Sequence, residues 1–193
     1  MTRSELGNEL DAILRELGFT RRKTTWNRRS GEFIDVIDLQ LSKSGDMTTM
    51  NVGVTHTGVY QKTWGKAPPT FVDEASSTVR SRIGQLVDGT DLWWPFSNPP
   101  AREQLDALCR RFVMPFLERM HSVETMEHQL ITEQADRHLY PLPKIHLALL
   151  RFERGDGVAA CALLSELRST TSGSWRNRVN EVASRIACRL EAP

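Results

Sequence analysis

Apolar residues open the chain at a helical spacing. Leu6, Leu10, Ile13, Leu14 and Leu17 fall on one stripe, so residues 2–18 are expected to form a helix that buries that stripe against another element. Thr2 with Glu5 fits a capping box, and Gly18 suits the position just past the helix end. The pattern then becomes alternating. Residues 18–33 read as a strand with a turn at Ser30-Gly31, Glu32 to Ser42 as a second strand, 42–46 as a turn and 47–56 as a third strand. In the third, Thr48, Met50, Val52, Val54 and His56 share one face, and Thr49, Asn51, Gly53 and Thr55 the other. The second starts apolar on both faces (Phe33, Ile34, Val36, Ile37) and is expected to be central. Gly53 inside a strand signals a bulge or the close approach of another element.

Residues 57–72 read as a long connection that carries Tyr60, Trp64 and Phe71, with the aromatics tucked beneath it as a satellite cluster. If 78–86 is a strand, Val79 and Ile83 share one face and Arg80 and Arg82 the other, ahead of a turn over 87–90. Trp94 precedes Pro95 and is therefore extended, so Trp93 and Trp94 point to opposite sides. Trp93 is expected to pack inward, with Trp94, Arg80 and Arg82 facing an interface.

From residue 98 the period is helical. Asn98 suits a cap, with Pro99 or Pro100 in the first turn, and Leu105, Leu108, Cys109, Phe112, Val113, Phe116 and Met120 form a stripe that Pro115 should kink or split. Further helices are expected over 122–139, 144–154 and 157–168, and a last one on Trp175, Val179, Val182, Ile186 and Leu190. The fold class is therefore α+β. An N-terminal helix packs on an antiparallel sheet of about four strands, and a C-terminal helical region follows. The expected division is 1–97 for the α+β half and 98–193 for the helical extension.

Composition narrows this little. The 193 residues are 39 % hydrophobic and 25 % charged, enough for a core, and the net charge of +1 gives no global footprint for nucleic acid while leaving a local patch open. Cys109, Cys161 and Cys188 are widely spaced in apolar helical patterns, so they read as three buried, reduced thiols of a cytoplasmic protein. The acidic N-terminus is not a signal peptide, and no apolar run is long enough to span a bilayer.

A series of short blocks, in order, adds something periodicity does not. Gly18-Phe19, Trp26, Gln40, Asn51-Val52-Gly53-Val54, Arg80, Arg82-Ile83-Gly84 and Trp93-Trp94 resemble the bacterial family known as domain of unknown function 4304, over roughly residues 5–98. The resemblance implies a helix on an antiparallel sheet. It implies no reaction, cofactor or catalytic residue.

The chain has no phosphate-binding loop, dinucleotide motif, nucleophile elbow, zinc-protease helix or paired C-x-x-C, so no catalytic, cofactor or metal residue is expected. Asp35 and Asp38 should face opposite sides of a strand and not form a carboxylate pair. His121, Glu124 and His128 would share a helical face, but a solvated polar face is the simpler reading, and His56, His138 and His146 read as structural or surface histidines. The cluster Arg21, Arg22, Lys23, Arg28 and Arg29 around Trp26 fits either a charge-protected sheet edge or a surface for single-stranded nucleic acid. The expected function is a non-catalytic protein-binding module, in concrete form an immunity protein or antitoxin. Its candidate surface comprises Trp26, Tyr60, Trp64, Arg80, Arg82 and Trp94. Nucleic-acid binding through the basic hairpin ranks second and an enzyme third. No membrane partner is expected.

Overall fold

The computed structural model describes residues 2–134 and 140–189, except the side chains of 133 and 134. His138 and Leu190 lie outside the described residues. The chain divides into two compact units. Residues 1–55 and 70–119 make the first, and 56–69 and 120–193 the second. The helical pattern that begins at 98 therefore runs across the division, with its first part grouped with the sheet.

In the first unit, helix α1 (Arg3–Glu16) has the expected capping box, with Thr2 and Glu5 each accepting from the other's backbone amide. Leu6, Leu10 and Leu14 are fully buried. Six strands follow among the described residues: β1 (Thr20–Arg22), β2 (Thr25–Ser30), β3 (Phe33–Leu41), β4 (Met47–His56), β5 (Val79–Arg82) and the two-residue β6 (Trp94–Pro95). They form one sheet in the order β1-β2-β3-β4-β5, with β6 also on β4. The pairings of β1 with β2, β2 with β3, and β4 with β5 and β6 are antiparallel.

The expected first strand is thus two. It folds at Lys23-Thr24, where Lys23 takes φ 58° and its carbonyl accepts from Arg21 Nε at 2.6 Å. A two-residue hairpin turn needs that left-handed backbone, usually supplied by Gly or Asn, so Lys23 masked it in the sequence.

Helix α1 lies over the face that carries Trp26, Arg28 and Ile37. Trp26 Nε1 donates to Asp11 Oδ1 at 2.9 Å, and Arg3 Nη2 donates to the Leu39 carbonyl at 2.8 Å. Arg28 pairs with the buried Asp35 at 2.8 Å on that same side, while Asp38 takes a 2.7 Å bond from Thr25 on the other, so the two aspartates do part. The expected strand over 78–86 is shorter. After β5 the chain turns into α3 (Ile83–Val87), with the Gln85 side chain accepting from the Arg82 amide at 3.1 Å.

Helix α4 (Arg102–Leu108) starts later than Asn98, because a residue before proline is pushed out of the helical region and Asn98 and Pro99 both precede one. A π-helical turn, Cys109–Val113, joins it to α5 (Met114–Arg119). Here the Met114 amide reaches five residues back to Cys109, so the helix widens just before Pro115, which has no amide to give.

In the second unit, the expected connection over 57–72 begins as helix α2 (Thr57–Trp64). His56 Nδ1 accepts from the Val59 amide at 3.2 Å, and Gly65, at φ 73°, ends it. Then come α6 (Val123–Gln129), a π-helical turn over Leu130–Gln134, α7 (Leu142–Glu153), α8 (Gly157–Thr170) and α9 (Gly173–Arg185). Ion pairs fasten this unit internally: Lys62 with Glu153 at 2.6 Å, and buried Glu127 with Arg151 at 3.1 Å and with Arg154. Cys161 and Cys188 are joined in a disulfide with Cα atoms 5.4 Å apart, which corrects the expectation of three free thiols. Spacing hid the pair, because the chain reverses between α8 and α9 and again after α9. Among the described residues, no helix is long and apolar enough to cross a membrane.

Candidate interaction surface

The pairing of β4 with β5 sets Asn51 opposite Arg82 and Gly53 opposite Arg80, on the sheet face away from α1. Directly opposed residues of an antiparallel pair share a face, so both arginines project there, as the alternation predicted. Arg82 is held from several directions. Its Nε donates to Asn51 Oδ1 at 3.3 Å, its Nη1 meets Asp91 Oδ1 at 2.5 Å, and its guanidinium stands 5.2 Å from the centre of the Trp93 ring. Asp91 Oδ2 in turn accepts from Trp93 Nε1 at 3.0 Å, and Asn51 Nδ2 donates to Gln40 Oε1 at 2.7 Å. The hydrogen bonds from Arg82 and then from Trp93 hold the Asp91 carboxyl below its ordinary value.

The loop that carries Asp91 and Trp93 is built for this position. Thr49, fully buried, donates its hydroxyl to the Leu92 carbonyl at 2.7 Å. Asp88 accepts from the Thr90 amide and hydroxyl at 3.0 and 2.6 Å. Gly84 lets the loop pass so close that a Cβ there would collide with Thr90 O and Leu92 N. The cluster nevertheless meets solvent: the Arg82 side chain is 30 % exposed and that of Asp91 62 %.

Residues 10–119 match the family described as domain of unknown function, DUF4304. The chain belongs to that family. No curated protein and no solved structure matches it. The match takes in Gln40, Asn51, Arg82 and Trp93. These four come from separate blocks of the resemblance and meet in one DUF4304 cluster.

Beside the cluster, Arg80 pairs with Glu74 at 2.7 Å. Glu74 sits on a strap over the same face. The strap is anchored where the Val72 amide donates to Asn27 Oδ1 at 2.7 Å and the Val72 carbonyl accepts from Asn27 Nδ2 at 3.0 Å. Burial pushes the Glu74 carboxyl up, and the nearby Asp38 adds to this against the pull of Arg80. Burial raises Asp38 as well, against its hydrogen bond from Thr25.

The six expected surface residues divide. Arg80 is exposed and Arg82 half-buried on the face just described. Trp94 corrects the expectation. It pairs with Thr48, shares the inner face with Met50 and Val52, and is 8 % exposed, while Trp93 takes the outer side. Trp26 is 0 % exposed and has Arg21 5.1 Å from its ring centre, so it offers no stacking surface. Tyr60 is buried, as the satellite-cluster reading expects, and half-buried Trp64 lies under Arg178, whose guanidinium is 4.8 Å from its ring centre. Both belong to the second unit.

Within the basic hairpin, Arg21 bonds Asn8 at 2.9 Å, Arg28 pairs with Asp35, and Arg22 and Lys23 are exposed. His121 precedes the Ser122 cap of α6, and Glu124 accepts from Ser122 at 2.9 Å, so the three spaced residues His121, Glu124 and His128 do not ride on one helix. Among the described residues, no group of three or more His, Cys, Asp or Glu is placed to hold a metal ion. Burial pushes the Cys109 thiol up to about 12, which leaves it unreactive. Asp91 and Glu74 were missed by sequence reasoning. Neither carries a signal there, because each acquires its role from a partner on β5.

Proposed function

We propose that this DUF4304 chain is a non-catalytic protein-interaction module of a bacterial cytoplasmic protein, with an immunity protein or antitoxin as its specific form. One observation carries the reading: Arg82 and Trp93 stand together, part-exposed, on supports that fix both. Arginine and tryptophan dominate binding energy at protein interfaces, and fixing them in advance lowers the ordering cost of association. The near-neutral net charge of +1 favours a partner that is not strongly cationic. The nucleic-acid alternative ranks lower because its stacking aromatic, Trp26, is buried and Arg21, Arg28 and Arg29, three of its five arginine and lysine side chains, are engaged internally.

The test is affinity capture from the native host with the wild-type chain and with R82A, W93A and R110A. Arg110 pairs with Asp106 and Glu16, apart from the cluster. A single protein retained by wild type and R110A and lost with R82A and W93A is the expected result. Equal retention by all four chains, or recovery of a polynucleotide, contradicts it. For the immunity form, the retained protein arrests growth when expressed alone and not when co-expressed with this chain.

A further inference from the structure

We infer that Cys161 and Cys188 form a reversible redox site, opened by a dithiol reductant, and that its state sets the order of the end of α9 and the end of α2. This inference is independent of the interaction surface. Both cysteines are half-buried, so a reductant reaches the bond, in contrast to the fully buried Cys109.

The backbone beside the bond is held in a costly shape. Beyond α9, the Ala187 amide donates to Ser184 O at 3.2 Å and the Cys188 amide to Ala183 O at 2.9 Å. This ending places Ala187 at φ 55°, a left-handed conformation that glycine adopts freely and alanine does not. The disulfide ties the strained reversal to α8.

The last turn of α9 also serves α2. Arg185 Nη1 donates to the carbonyls of Lys62 and Thr63 at 2.9 and 3.1 Å, the last-turn acceptors of α2, which have no partner within their own helix. Glu181 steadies that arginine at 3.2 Å, and Gly65 makes room for it. Releasing Cys188 lets Ala187 leave the left-handed region, the last turn of α9 unwinds, and the Lys62 carbonyl loses its Arg185 donor, while Thr63 keeps Arg178 Nη1 at 3.3 Å.

The chemistry balances. A thiolate of the dithiol attacks one sulfur, the Cys161–Cys188 bond breaks, and the departing sulfur takes a proton from solvent. The reductant's second thiol resolves the mixed disulfide. Two electrons pass to the protein, which ends with two thiols, and the reductant ends as a disulfide.

The test uses the full chain with dithiothreitol as the dithiol, iodoacetamide labelling in denaturant, and hydrogen exchange read by mass spectrometry. Before reduction, iodoacetamide should label Cys109 alone, and after it all three cysteines. On reduction, amide exchange over 183–189 and at Gly65 should quicken at least about tenfold while α7 stays unchanged. In A187G, glycine removes the strain, so exchange over 183–189 should quicken less on reduction. Labelling of all three cysteines without reductant, unchanged exchange after reduction, or an A187G response equal to wild type overturns the inference.

Discussion

Asn51 bonds both Gln40 and Arg82 while only 5 % exposed, so N51A removes two hydrogen bonds at once, although exposed Gln40 and part-exposed Arg82 still reach water. Hydrogen bonds whose partners keep access to solvent contribute about 0.5–1.5 kcal/mol each, and urea unfolding should show the loss; an unchanged midpoint with unchanged slope would count against the network. Glu74 and Asp38 make a pH prediction. Both have folded values raised above the unfolded ones, so in that window the folded state binds more protons. Their contribution is fully present below the unfolded values and is lost as pH rises through the folded ones. Wild type should therefore gain stability relative to the D38N/E74Q double variant as pH is lowered from neutrality towards the ordinary carboxylate range. A relative loss in urea unfolding would contradict the burial argument. At this scale, alternation told which side Arg80 and Arg82 take and that Asp35 and Asp38 part. It told that Trp93 and Trp94 part as well, but their order depends on Trp94 pairing with Thr48, a contact set by the fold and not by the neighbours of either residue.

At the scale of elements, α1 and β4 were plain because their patterns run long, whereas short elements were hidden. Val59, Tyr60 and Thr63 have helical spacing and Gly65 is a helix-ending residue, yet two prolines downstream made 57–72 read as a loop. Helix α3 owes its start to Gln85 capping the Arg82 amide, which no periodicity announces. Gly84 supplies a test of the loop that α3 supports. G84A pushes a methyl group into Thr90 O and Leu92 N, and overpacking of this kind costs about 1–3 kcal/mol. Its distinguishing signature is a displaced Trp93, read as a change in fluorescence that W93F abolishes; a G84A spectrum identical to wild type would mean the loop has slack. The disulfide closes 27 residues of chain, which on the chain-entropy account is worth about 3.5 kcal/mol. Urea unfolding with and without dithiothreitol should differ by that order, and coincident curves would show that the bond constrains nothing.

For the molecule as a whole, the class of fold was legible, since a helix, an antiparallel sheet and a helical region follow from periods alone. The division into units was not. Segment 56–69 joins helices far along the chain, and nothing local in the sequence marks that contact. The DUF4304 cluster was half legible for the same reason. Gln40, Asn51 and Arg82 come from three strands, and Asp91 and Trp93 from a loop, so their meeting is a property of the sheet. A central pair of this kind makes a clear energetic claim about binding. Calorimetric titration of the captured partner is the most direct check. Arg82 truncation should weaken binding by about 2 kcal/mol or more, roughly thirtyfold, while R110A stays within about twofold of wild type. An R82A chain that binds its partner as tightly as wild type would contradict the account.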